Sequence, residues 1–260
     1  MVEPVVLPHT LHGTGPHGVL ALHGWFGDRT SYAPLLAHAD GGRFTFAAQD
    51  QRGYGDAQGV EGEYTTAEVA ADALALADHL GWETFSVVGH SMGGKAAQNL
   101  LALAPERVRA MVGISPVPAS GAGFDPDAWD LFRAAVHDPA ARRAIINLTT
   151  GDRLSAVWLE SMVAKSLACS TAPAFAAYLE DWAGLDFHRT VTGSPVPALA
   201  VAGAHDPALS ADVMRATWLE WFPNARLHVI QDAGHYAMDE TPLPLLAVVE
   251  DFLASTGTAA

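Results

Sequence analysis

The stretch Phe85-Ser86-Val87-Val88-Gly89-His90-Ser91-Met92-Gly93-Gly94 decides how this chain is read. Residues 85–88 form a short apolar run suited to a buried strand. From Met92 onward the pattern is helical, and it stops before Pro105. Between the two, Gly-x-Ser-x-Gly has to convert strand into helix within a few residues. A turn that tight strains the backbone of its middle residue and lifts the Ser91 hydroxyl out of the fold. Side chains at positions 89 and 93 would collide with the neighbouring strand and helix, which explains glycine at both. The helix that follows aims its positive end at any negative charge developing beside Ser91.

Strand–helix alternation continues on either side of this turn. Upstream, residues 19–22 read as a strand ending in His23-Gly24, and residues 43–48 as another, followed by a polar loop over 49–62. Thr65 with Glu68 three residues later forms a capping box, opening an Ala/Leu-rich helix that Gly81 stops. Downstream, residues 108–114 are a strand, and strand–helix pairs then lapse over 116–190. They resume with strands at 198–201 and 226–230 and helices at 212–221 and 243–253. The expectation is an α/β fold with a mostly parallel central sheet and helices on both faces. Its core would comprise residues 1–115 and 191–260, with 116–190 as a helical cap insertion. An insertion leaving the carboxyl end of a strand sits where open α/β sheets bind ligands.

Asp plus Glu number 29 against 14 Lys plus Arg, a formal charge of −15. This charge repels phosphate backbones and anionic lipid, so nucleic acid and membranes are not expected partners, and a small molecule is. Cys169 is the single cysteine, which allows no intramolecular disulfide and reads as a buried apolar residue. The opening Met-Val-Glu-Pro-Val-Val-Leu-Pro lacks the basic and apolar segments of a secretory signal, and no run has the length of a membrane span. A cytoplasmic setting is expected. Nothing in the composition speaks to oligomeric state.

A serine hydroxyl attacks poorly near neutral pH unless a base takes its proton and a carboxylate orients that base. Asp206 follows the strand at 198–201, and His235 follows the strand at 226–230. Both therefore fall at the sheet edge that carries Ser91, in the chain order Ser, acid, His. The rivals have plainer readings. His205 has no strand-end placement in its favour, and His90 reads as a packed histidine pointing away from the nucleophile. Asp50 reads as a structured turn and Asp232 as a surface loop charge. His9, His12 and His17 lie in a Gly/Pro-rich N-terminal loop without metal-ligand spacing, so no metal and no cofactor is expected. An oxyanion needs two fixed N–H donors, expected from the backbones of Met92 and Trp25. Phe26, Trp129, Met162, Trp182 and Tyr236 are the expected pocket residues, in a segment rich in aromatics and methionine.

His23-Gly24-Trp25, Gly89-His90-Ser91-Met92-Gly93-Gly94, Gly203-x-x-Asp206 and Gly234-His235 together resemble the α/β-hydrolase superfamily, in order and over nearly the whole chain. Ile114-Ser115-Pro116-Val117-Pro118 and Asp181-Trp182-x-x-x-Asp186-Phe187 are similar to the branch of cofactor-free haloperoxidases and arylesterases. That resemblance implies ester hydrolysis through an acyl-enzyme, sometimes with perhydrolysis. Lactonases and carbon–carbon bond hydrolases use the same three residues, and some members of the superfamily are non-catalytic small-molecule receptors.

Overall fold

The computed structural model describes residues 3–256. Met1 and Val2, which begin the segment read above for a secretory signal, lie outside the described residues. Among the described residues seven strands form one sheet: β1 (His9–His12), β2 (His17–Leu22), β3 (Phe44–Gln49), β4 (Phe85–His90), β5 (Val108–Ile114), β6 (Ala198–Gly203) and β7 (Ala225–Ile230). Their spatial order is β1-β3-β2-β4-β5-β6-β7. Only β1 runs antiparallel, paired with β3 from His9↔Gln49 to His12↔Phe46. The sequence alone places His9 and His12 in an N-terminal loop. Their strand character comes from pairing with a distant segment, which no local pattern announces.

The helices are α1 (Ala33–Leu36), α2 (Thr66–His79), α3 (Met92–Leu103), α4 (Pro126–Ala134), α5 (Pro139–Thr149), α6 (Ala156–Cys169), α7 (Ala172–Gly184), α8 (His188–Val191), α9 (Ala211–Ala216), α10 (Trp218–Trp221), α11 (Ala237–Glu240) and α12 (Pro242–Ser255). The single helix expected over 212–221 is broken at Thr217, whose φ of −126° and ψ of −82° are not helical. The Thr217 hydroxyl donates to the Val213 carbonyl at 2.6 Å, a local bond that competes with helix continuation.

Side chains alternate across the central strands and supply two cores. Leu20 and Leu22 of β2 join α2, α3, α9 and the cap helices α5–α7 on one face. Val19 and Ala21 meet Leu35 of α1 and Val249 of α12 on the other. Helices α5–α7 of the segment expected to form a cap thus share a core with α2 and α3. The connections from β2 and β4 lead in opposite directions across the sheet, to β3 and to β5, so the loops after these two strands part at the carboxyl edge, where open α/β sheets bind ligands.

Candidate active site

Ser91 has φ 53° and ψ −117° and sits between the end of β4 and the first residue of α3. That region is costly for a residue with a side chain, so its neighbours must hold it there. The Ser91 N–H donates to the Ile114 carbonyl at 3.0 Å, and its own carbonyl accepts from Val117 N–H at 3.0 Å. A Cβ on Gly89 would stand 2.2 Å from the Gly93 carbonyl oxygen, and one on Gly93 would stand 2.1 Å from that of Leu22. Helix and strand approach too closely here for any side chain.

Asp206 follows β6, and His235 follows β7. Both are buried, and His235 Nδ1 lies 2.7 Å from Asp206 Oδ2. A carboxylate can only accept, so Nδ1 carries a proton, and in the neutral ring Nε2 then keeps its lone pair. Burial pushes the Asp206 carboxyl upward. The charge and hydrogen bond of His235, with the N–H groups of Leu209 and Ala208, outweigh it and hold the carboxyl below its usual range. Ser91 and His235 line the same two cavities.

The loop carrying His235 is tied at each residue. Glu240 accepts from Gly234 N–H at 2.9 Å and from Tyr236 N–H at 3.1 Å, one on either side of His235. His235 N–H donates to Thr149 O of the cap at 3.0 Å. His90 Nε2 donates to the His235 carbonyl at 2.9 Å. Burial first, then the nearby His235, pulls His90 down to about 3, so its ring is neutral. This corrects the reading of His90 as turned away from the site. It faces the His235 loop and lines one of the cavities beside Ser91.

Met92 N–H lies in the first turn of α3, where an α-helix supplies its N–H groups with no partner. The loop after β2 is packed against Ser91, since a Cβ on Gly24 would meet Ser91 Cβ at 3.2 Å. Trp25 is fixed in that loop. Its indole N–H donates to the Phe175 carbonyl at 2.8 Å, and its ring stacks on that of Phe175 with centroids 3.8 Å apart. The Arg142 guanidinium lies 3.8 Å from the Phe175 centroid, a buried cation held on an aromatic face.

A cavity of about 60 Å³ adjoins Ser91. Its walls include Phe26, Val117, Phe132, Ile145, Trp182 and Leu209. Trp25, Phe26 and Tyr236 line it together with a second, smaller cavity that Met162 also lines. Four of the five expected pocket residues are therefore at these cavities. Trp129 is not. It stands edge-on to Phe124 with the Arg133 guanidinium 4.5 Å from its ring, one layer behind the wall. Phe124 and Phe132 line the cavity in its place. Helical spacing shows that α4 has an apolar stripe, but not which residue of the stripe reaches the void.

The rivals separate cleanly. His205 and Asp232 are exposed. Asp50 is buried and ion-paired with Arg29, and it accepts from Arg29 N–H at 3.0 Å and Asp56 N–H at 2.8 Å, a structural turn as read. His9 and His12 belong to β1 rather than to a loop, and His17 opens β2. His17 Nε2 lies 2.8 Å from the Ser86 hydroxyl, and burial pulls this ring down to about 4. Sequence reasoning missed Glu240 and Lys95. Lys95 is fully buried, and its ammonium reaches the Leu185 carbonyl and, at 3.0 Å, that of Trp182 at the end of α7. A lysine inside the Ala-rich α3 was the available signal.

The family described as alpha/beta hydrolase fold matches residues 4–242. A Haemophilus influenzae protein, named only provisionally as an esterase/lipase, is 27% identical over 90% of this chain and 82% of its own. The 2-hydroxymuconate semialdehyde hydrolase of Pseudomonas sp. strain CF600 is 28% identical over 96% of this chain and 87% of its own. A bromoperoxidase from Bacillus anthracis superposes with a TM-score of 0.83 at 18% identity, covering 95% of this chain and 94% of that one. The sheet order, the strained serine turn and the family match agree, and this chain belongs to the alpha/beta hydrolase fold family.

Proposed function

We infer that this protein is a serine hydrolase cleaving carboxylic esters of small to medium size. The observation that carries the reading is Ser91, held at positive φ and facing the cavities that His235 also lines, with His235 bonded to the buried Asp206 at 2.7 Å. Ser91 Oγ attacks the ester carbonyl carbon while His235 Nε2 takes its proton. Asp206 keeps the proton of the resting ring on Nδ1 and stabilises the imidazolium. The N–H groups of Met92 and Trp25 receive the oxyanion; losing one such donor costs on the order of 100-fold to 1000-fold in rate. His235 then protonates the departing alcohol. Water, deprotonated by His235, releases the acid.

The similarity to a semialdehyde hydrolase supports a second reading, carbon–carbon bond cleavage by the same three residues. A cytoplasmic setting is proposed from the single cysteine. Hydrolysis of a methyl ester series and a p-nitrophenyl ester series by the wild type and by Ser91→Ala tests the reading. Turnover lost in Ser91→Ala supports it. A wild type that folds and leaves every ester intact favours the carbon–carbon reading instead.

A further inference from the structure

Ser91, His235, Trp25, Phe26 and Tyr236 are shared by two cavities of different chemistry, so the reacting pair lies on the boundary between them. The larger, about 60 Å³, is walled by Val117, Phe124, Phe132, Ile145, Trp182 and Leu209. The smaller, about 10 Å³, is bounded by Gly27, Ser31, His90, Met162, Met238 and Asp239. It has a hydroxyl and a carboxylate in its wall and is about the size of one water. Met162 projects from cap helix α6 and is 8% exposed.

The chemistry of an acyl-enzyme requires two such places. The carbonyl carbon carries the acid's chain on one side and the alcohol oxygen on the other. That alcohol oxygen must face His235 to receive a proton. In the second half of the reaction, the attacking water occupies the place the alcohol left and gives its proton to the same nitrogen. A small cavity with a hydroxyl and a carboxylate among its walls suits a departing or entering hydroxyl, and the larger, mostly apolar one suits a hydrocarbon chain.

Resting on the ester-hydrolase reading, we propose that the larger cavity takes the acid and the smaller one the alcohol, with Met162 limiting alcohol size. The substrate class is then esters of a compact apolar acid, branched or aromatic, with a very small alcohol. In the first step the Ser91 O–C bond forms, and its proton passes through His235 to the alkoxide as the C–O bond breaks. In the second, the water oxygen bonds to the acyl carbon as the Ser91 O–C bond breaks, and one water proton passes through His235 to Ser91 Oγ. No other reactant is needed.

Two isomeric esters read the assignment. Methyl phenylacetate places the ring on the acid, and benzyl acetate places it on the alcohol. The wild type is expected to favour methyl phenylacetate by about tenfold or more in kcat/KM, the discrimination a close-fitting pocket gives against an added group. Met162→Ala is expected to shrink that ratio by about tenfold as the alcohol side opens. A wild type preferring benzyl acetate overturns the assignment, as does a folded Met162→Ala with an unchanged ratio. The wild-type pair stands as a test even if Met162→Ala fails to fold. Loss of turnover on both isomers and on every p-nitrophenyl ester overturns the ester reading itself and this assignment with it. Turnover of the p-nitrophenyl series with benzyl acetate preferred overturns the assignment alone.

Discussion

In the proposed mechanism Asp206 acts through a single hydrogen, the one on His235 Nδ1, whose nitrogen lies 2.7 Å from Asp206 Oδ2. Asp206→Asn keeps the size of the side chain but invites the other tautomer, which leaves Nε2 without a lone pair. A loss of about 10⁴-fold in kcat is expected, with KM little changed, read from steady-state kinetics on one ester. Because the Asp206 carboxyl lies below its usual range, its stabilising contribution is complete above that range and is lost only as pH falls through the lowered value. His90 and His17 act earlier in acid. Their ordinary value is 6.5, and burial lowers them to about 3 and about 4. The unfolded chain therefore takes up protons below 6.5 that the folded chain refuses. The unfolding midpoint should begin to fall there, before the carboxylates titrate, and His17→Gln should make that fall shallower in a pH series of thermal melts. Legible in the sequence were the identities of Ser91, Asp206 and His235, which strand ends announce, and the packing of His90 inside the serine turn. The burial of His17 was not, since a histidine in a Gly/Pro-rich segment looks exposed until the fold closes over it.

Among the elements, the His235 loop is held from both sides by the carboxylate of Glu240, whose side chain is 2% exposed and also pairs with Arg153 of the cap at 3.1 Å. Removing it leaves the N–H groups of Gly234 and Tyr236 without an acceptor, a cost of roughly 1–3 kcal/mol for each buried group. Glu240→Ala should lower the melting temperature and also lower kcat more than it raises KM, because it loosens the base rather than the pocket. Equal losses in Glu240→Ala and in a destabilised variant remote from this loop would assign Glu240 a stability role alone. The cap helices show how far local signals reach. Asp125-Pro126 and Asp138-Pro139 are an N-cap followed by a first-turn proline, and both start helices as such pairs do, with Asp125 accepting from Ala128 N–H at 2.8 Å and Asp138 from Ala140 N–H at 2.8 Å. Those starts were available to a reader of the sequence. Strand β1 and the break at Thr217 were not, since one depends on a distant partner and the other on a competing hydroxyl.

At the scale of the molecule, the parallel order of the sheet was readable because each strand–helix pair repeats one local pattern. The seating of the cap was not, because it rests on buried polar ties between remote segments. Lys95 of α3 ends α7 through its carbonyls, and Asp181 of α7 accepts from Thr66 N–H at the start of α2 at 2.8 Å. The charge of −15 also acts at this scale. Raising ionic strength shortens the screening length from about 30 Å at 0.01 M to about 8 Å at 0.15 M. An anionic ester such as monomethyl succinate should therefore gain in kcat/KM with salt while dimethyl succinate does not, compared side by side in one buffer series.

Strands β5 and β6 lie side by side, Met111↔Ala198 to Ile114↔Val201, with the whole cap between them along the chain. Pairings that close long loops form slowly, because chain entropy is lost before contacts compensate for it. The strands around Ser91 pair among themselves through shorter connections, whereas Asp206 and His235 follow β6 and β7 beyond the cap. The serine turn is thus expected to assemble ahead of Asp206 and His235 during refolding, so that in the proposed enzyme recovery of activity trails recovery of sheet structure.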